Sequence, residues 1–296
     1  MDQHATTIRR MLGDRTIAQF ASLSLPDRRA LFRRNLVQQQ PVFIEEADDD
    51  VSLNPSIADG VLLRQQHFMG KDETGKRLVK EACDVYYGEN HFNVRLHWLC
   101  EFMTDTLSDY KTKVPVAPLI KDSITVIVDS YDALDDFYLH EDGCDSDSGT
   151  DDPDSVHYRH GTGKAARWTQ KRLQDIFLFT NAQHITLVLH GRGLLDGSDL
   201  ATHQVIKDIS YVVKLLIQKF GDRFAIRKMI SRGGGHGGSY PWRSLRSYWD
   251  PPTETARQKV RRGEATFEQV MQVEVEEWTH VFPSTIGSWM EREILV

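Results

Sequence analysis

Apolar residues along this chain recur at two periods, one helical and one strand-like. Between Ala201 and Phe220, the residues Val205, Ile206, Ile209, Val212, Val213, Leu216, Ile217 and Phe220 stand at intervals of one, three and four from their neighbours in the series, which puts a broad apolar stripe on one face of a helix. Ser198 or Asp199 is placed to accept from the first unbonded amides, and Gly221 can end the helix with a positive φ. Trp168 to Phe179 predicts a shorter helix. Thr266-x-x-Gln269 is a capping box ahead of Phe267, Val270, Met271, Trp278 and Val281, on a helix whose outer face is acidic.

Short β-branched runs lie between these helices at Val42 to Glu45, Phe92 to Arg95, Ile124 to Val128 and Ile185 to Leu189, with a weaker one at Phe224 to Arg227. From Ile124 onward, strands and helices alternate. Crossovers of that kind favour parallel neighbours with helices packed on the sheet, so the expected fold class is α/β or mixed α+β. A loose strand and helix unit recurs, without a period strict enough for a solenoid. The pattern breaks most clearly between His140 and Ala166, where six aspartates stand among Ser, Gly, Thr and Pro153. Such a stretch lacks the apolar surface that would offset the entropy of ordering it, and is expected to be a long acidic loop. It either divides two domains, 1–140 and 166–296 flanking a loop over 141–165, or is an insertion in one. Residues 46–55 and 231–241 are shorter breaks.

The composition is that of an ordinary globular protein: 296 residues, 40% hydrophobic and 27% charged. That excludes a fibrous or wholly disordered chain. No apolar run approaches the roughly 18 residues of a membrane span. Met1 to Arg10 has no apolar signal core, so an intracellular protein, in cytoplasm or nucleus, is expected. Cys83, Cys100 and Cys144 form no Cys-x-x-Cys pair, which fits reduced thiols better than a disulfide framework or a zinc ribbon. The net charge of -7 hides a division: residues 1–156 carry -13, residues 157–262 carry +12 and residues 263–296 carry -6. The basic segment suits either nucleic-acid phosphates or the protein's own acidic parts.

Few motifs point to chemistry. His160-Gly-Thr-Gly-Lys164 lacks both the earlier glycine and the following Ser or Thr of a phosphate loop. Ser231 to Gly238, with five glycines, reads as a turn or an anion-wrapping loop. His157, His160, His184 and His190 stand in no recognised ligand spacing, and neither a nucleophile elbow nor a His-Glu-x-x-His helix occurs. No catalytic residue, metal ligand or cofactor is therefore assigned, and the expectation is a protein that is not an enzyme. Tyr240 to Trp249 interleaves Trp242, Tyr248 and Trp249 with Arg243 and Arg246, which suits either base stacking or the pinning of a loop to the core.

The first third carries a family resemblance. Leu25-Pro26, then Arg28-x-x-Leu31-Phe32-x-x-x-Leu36 and the β-like Pro41-Val-Phe-Ile44, resembles the opening of the F-box-like proteins of filamentous fungi. Arg77 to Val94 is similar to that family's segment in which a helix with Glu-Ala (Glu81-Ala82) leads through Tyr86-Tyr87-Gly88-Glu89-Asn90 into a strand containing Phe92. The resemblance covers about residues 20–130 and implies docking on a Skp-type adaptor of a ubiquitin ligase, with the rest of the chain selecting a substrate. On that basis Leu25, Pro26, Leu31, Phe32 and Leu36 would form an apolar docking face. The sequence reading is thus a non-enzymatic protein-interaction module, with a nucleic-acid-binding module using residues 157–262, or a scaffold without an assigned role, as the alternatives.

Overall fold

The computed structural model describes residues 12–44, 72–103, 116–129, 164–230 and 241–281. The acidic stretch up to residue 163, with Cys144, His157 and His160, lies outside these residues, as does the glycine run 231–238. Two compact units are formed, Met1–Val126 with Leu178–Ile185, and Ile127–Phe177 with Thr186–Val296. The division falls within a strand, ahead of the acidic stretch.

The fold is mixed α/β. Its strands are β1 (Val42–Ile44), β2 (His91–Arg95), β3 (Ser123–Asp129), β4 (His184–Gly191), β5 (Phe224–Ile230) and β6 (Trp242–Ser244). They form one mixed sheet in the order β1-β2-β3-β4-β5-β6. Spatial order thus repeats chain order, each strand lying beside the one before it. β1 and β2 are parallel, with Val42 opposite Phe92. His91 at the start of β2 meets Asp122 just ahead of β3, Nε2 to Oδ2 2.6 Å. The amide of His184 donates to the Asp122 carbonyl at one end of β3, while His190 meets Asp129 at the other, so β3 and β4 run the same way. β5 and β6 are antiparallel.

In the first unit, α1 (Ile17–Ala21) opens with a capping box between Thr16 and Gln19. α2 (Leu25–Leu36) is capped by Ser24, whose hydroxyl accepts from the Asp27 amide, and Pro26 occupies the first turn, where its missing N–H costs nothing. α3 (Glu73–Glu89) is capped by Asp72 and passes through Asn90 alone into β2. A 3-10 turn, Leu96–Trp98, and α4 (Leu99–Met103) follow. Phe20 and Phe32 meet at 5.1 Å between ring centroids, and Tyr86, Tyr87, Phe92 and Phe102 form a second aromatic cluster.

The polar tie in this core is Arg28. Its Nε and Nη2 donate to the two carboxylate oxygens of Glu81 at 2.7 Å each, and its Nη1 donates to the carbonyls of Leu23 and Ala21. Both side chains are buried. A fork-on-fork pair with its remaining donor satisfied can offset the cost of taking two charges out of water.

In the second unit, α5 (Lys164–Gln174) runs into a 3-10 turn at Asp175–Leu178, where the periodicity predicted one helix to Phe179. α6 (Leu200–Phe220) takes Asp199 as its cap and ends at Gly221, whose φ is +57°. Its predicted stripe is buried, apart from half-buried Ile217. α7 (Glu254–Arg262) and α8 (Phe267–Val281) follow, joined by a two-pronged Arg257 to Glu276 pair. The Thr266 and Gln269 capping box is formed. Lys228 of β5 is buried, and its Nζ donates to Thr202 Oγ1 of α6 at 2.8 Å. That bond sets the second half of β5 beside the first turn of α6, the end to which β4 delivers the chain.

Glu81→Gln leaves the Arg28 charge buried without its counterion and is expected to lower stability by about 3–5 kcal/mol in urea unfolding. Replacing Arg28 and Glu81 together by methionine should recover most of that loss. A double variant no more stable than Glu81→Gln would show that the loss comes from the missing Arg28 to Glu81 bonds themselves and not from a stranded charge.

Candidate functional site

The five residues expected to form one apolar docking face do not share a face. Phe32 and Leu36 are buried, together with Arg28, on the inward stripe of α2 at intervals of four. Leu31 is half-buried, while Leu25, at 43% exposure, and Pro26 stand in solvent at the head of the helix. The docking face is what the resemblance implies, and a resemblance names apolar positions without saying what covers them; here Phe20 of α1 packs on Phe32. The outer face of α2 carries Arg29, Ala30, Arg33 and Arg34. Arg33 grips Glu89 through Nε and Nη2, and this hydrogen bond holds the Glu89 carboxyl below its ordinary range.

The segment that carries the family resemblance is the counterpart of this helix. Glu81 takes Arg28 and Glu89 takes Arg33. Asn90 is fully buried; its Nδ2 donates to the Leu36 and Tyr86 carbonyls at 2.9 and 2.8 Å, and its Oδ1 accepts from the Gln38 amide at 2.8 Å. The side chains of Glu81, Glu89 and Asn90 therefore fasten α2 along its length. On α2 the apolar side chains left outward are Leu25 and Pro26, beside a basic ridge.

The aromatic and arginine segment of the second unit resolves largely as a structural pin. Tyr248 is buried and its hydroxyl donates to the Asp196 carbonyl at 2.6 Å; burial pushes the phenol up to about 12. Trp249 Nε1 donates to the Ser210 carbonyl. Arg243 pairs with Glu268 and Arg246 with Asp250. Trp242 alone of the three rings is exposed, at 56%, with the Arg227 guanidinium 4.3 Å from its centroid.

Of the histidines, His184 is exposed at the start of β4. His190 Nδ1 lies 2.9 Å from Asp129 Oδ1, and the carboxylate is buried. Both sit at the carboxyl ends of neighbouring parallel strands, the edge where α/β sheets place their sites. Asp129 orients the imidazole, which is half of an acid–base device. Among the described residues, no group of three or more His, Cys, Asp or Glu is placed to hold a metal. No described helix is long and apolar enough to cross a membrane.

The loop from β4 to α6, which follows Gly191 at the strand end and contains Gly193 and Gly197, has the outline of an anion cradle at a helix N-terminus. Asp199 fills it. Its Oδ1 accepts from the Thr202 amide at 2.9 Å and its Oδ2 from the Leu194 amide at 3.0 Å. A Cβ on Gly193, where φ is +95°, would lie 2.3 Å from this carboxylate. Burial alone would raise the Asp199 carboxyl, but the two amides, with Lys228 nearby, outweigh it and hold it below its ordinary value.

No family model, curated protein or solved structure matches this chain. Sequence reasoning missed the pairs Arg28 with Glu81 and Asp129 with His190. The second had a signal: each residue is the polar group that closes an apolar strand run.

A depressed folded-state pKa contributes stability above the unfolded value, 3.8 for this type of carboxyl, which is lost as pH falls through the lower folded value. Asp199→Ala is expected to cost about 1–2 kcal/mol at neutral pH. In chemical unfolding across pH, the gap from wild type should close only on the acid side of 3.8. A gap independent of pH would remove the charge from the account.

Proposed function

We propose that this chain is a non-enzymatic protein-interaction module, whose F-box-like N-terminal region docks a Skp-type adaptor while the rest of the chain selects a substrate for a ubiquitin ligase. Such a role belongs to the cytoplasm or nucleus. The observation that supports it is the construction of α2. Its inner stripe and three polar ties hold it rigid, and Leu25 and Pro26 are left outward at its head. A preorganised apolar corner loses little entropy when a partner covers it. The docking residues on this reading are Leu25, Pro26 and the open side of Leu31, while Phe32 and Leu36 act by holding the helix in place.

The test separates surface from core. Purified full-length protein is expected to bind purified adaptor, and Leu25→Asp to weaken binding by about tenfold or more, as for a contact at the centre of an interface. Because Leu25 is exposed, the thermal midpoint of that variant should stay near that of wild type. Phe32→Ala should instead cost about 3–5 kcal/mol of stability. Unchanged adaptor binding by Leu25→Asp, or none by wild type, ends the proposal.

A further inference from the structure

The register of β5 and β6 sorts their side chains onto two faces. Lys228 lies opposite Arg243, and both turn to helices, Lys228 to Thr202 of α6 and Arg243 to Glu268 of α8. On the other face, Arg227 lies opposite Ser244 and Met229 opposite Trp242. Arg227 and Trp242 are therefore diagonal neighbours, and the guanidinium lies 4.3 Å from the indole centroid while the residue stays 56% exposed. Among the described residues, no carboxylate pairs with Arg227. β6 is also the last strand of the sheet, so the platform stands at an edge.

We infer that this face of β5 and β6 is a stacking platform for single-stranded nucleic acid. An indole held flat by a guanidinium offers its open surface to a base, because every base has a π-face, and the unpaired cation lies within reach of the backbone phosphate. Charge complementarity favours the same occupant. The sequence from 157 to 262 that contains the platform has 19 basic and 7 acidic residues, and Lys259, Arg261 and Arg262 are exposed in the same unit. An acidic peptide would satisfy the charge but would leave the indole without a stacking partner. This site differs from the broad segment that sequence reading suggests: Tyr248 and Trp249 are committed to the core, and the binding ring is Trp242.

The test uses the full chain and a fluorescent oligothymidylate of about 15 nucleotides, read by anisotropy at about 20 mM salt. Binding should weaken steeply as salt is raised. Trp242→Ala should lower affinity by about fivefold or more and Trp242→Phe should retain most of it, as stacking predicts. Arg227→Gln should weaken binding and flatten its salt dependence. Thermal midpoints near wild type will show that these surface variants fold, and Leu25→Asp should bind the probe like wild type, keeping this site separate from adaptor docking. Absence of probe binding, an undiminished affinity in Trp242→Ala, or a preference for a peptide of residues 141–156 over the oligonucleotide would overturn the inference.

Discussion

Taking a guanidinium and a carboxylate out of water together is favourable only when the geometry is fixed and every other donor finds an acceptor. Arg28 and Glu81 have the fixed geometry, both hydrogens of Arg28 Nη1 find carbonyls, and the first unit is arranged around them. The pair requires α2 to lie along α3 at one register, because the fork has a single in-plane approach. Once that register is set, Phe32 reaches Phe20, and Leu36 ends where its carbonyl meets the Asn90 amide. Apolar packing supplies most of the free energy of such a core, but it tolerates sliding. The polar ties do not.

The second unit solves a related problem differently. Lys228 is buried in β5 close to the positive end of the α6 dipole, which alone would be a poor place for a cation. Asp199 offsets both: its carboxylate takes the Thr202 amide in the first turn of α6 and lowers the potential at the ammonium. The glycine at 193 follows from this, since only a backbone without Cβ can pass so close to the carboxylate. A loop that by outline suits a phosphate is thus closed by the protein's own anion.

How much of this is legible in the sequence depends on whether the signal is local. α6 can be read because eight apolar residues keep helical spacing and caps stand at both ends. The five β-branched runs are strands for the same reason. β6 and α7 escape, since Trp242-Arg-Ser has no alternation long enough to detect and α7 buries only Ala256. The site is less legible still. Arg28 and Glu81 are 53 residues apart, and Arg227 with Trp242 become neighbours only through the β5 and β6 register. Phe32 and Leu36 show the converse limit, for an apolar stripe looks the same from the sequence whether a partner or the chain itself covers it.

The joint at Asn90 has one more consequence. A helix and a strand meet there with no spare backbone between them, and the one intervening side chain is sealed inside with three hydrogen bonds. Such an elbow can neither lengthen nor shorten without turning β2 over in the sheet, since one residue gained or lost exchanges its inner and outer side chains. Among kindred sequences, gaps should be absent from this junction and gather elsewhere, making it the natural fixed point from which to align them.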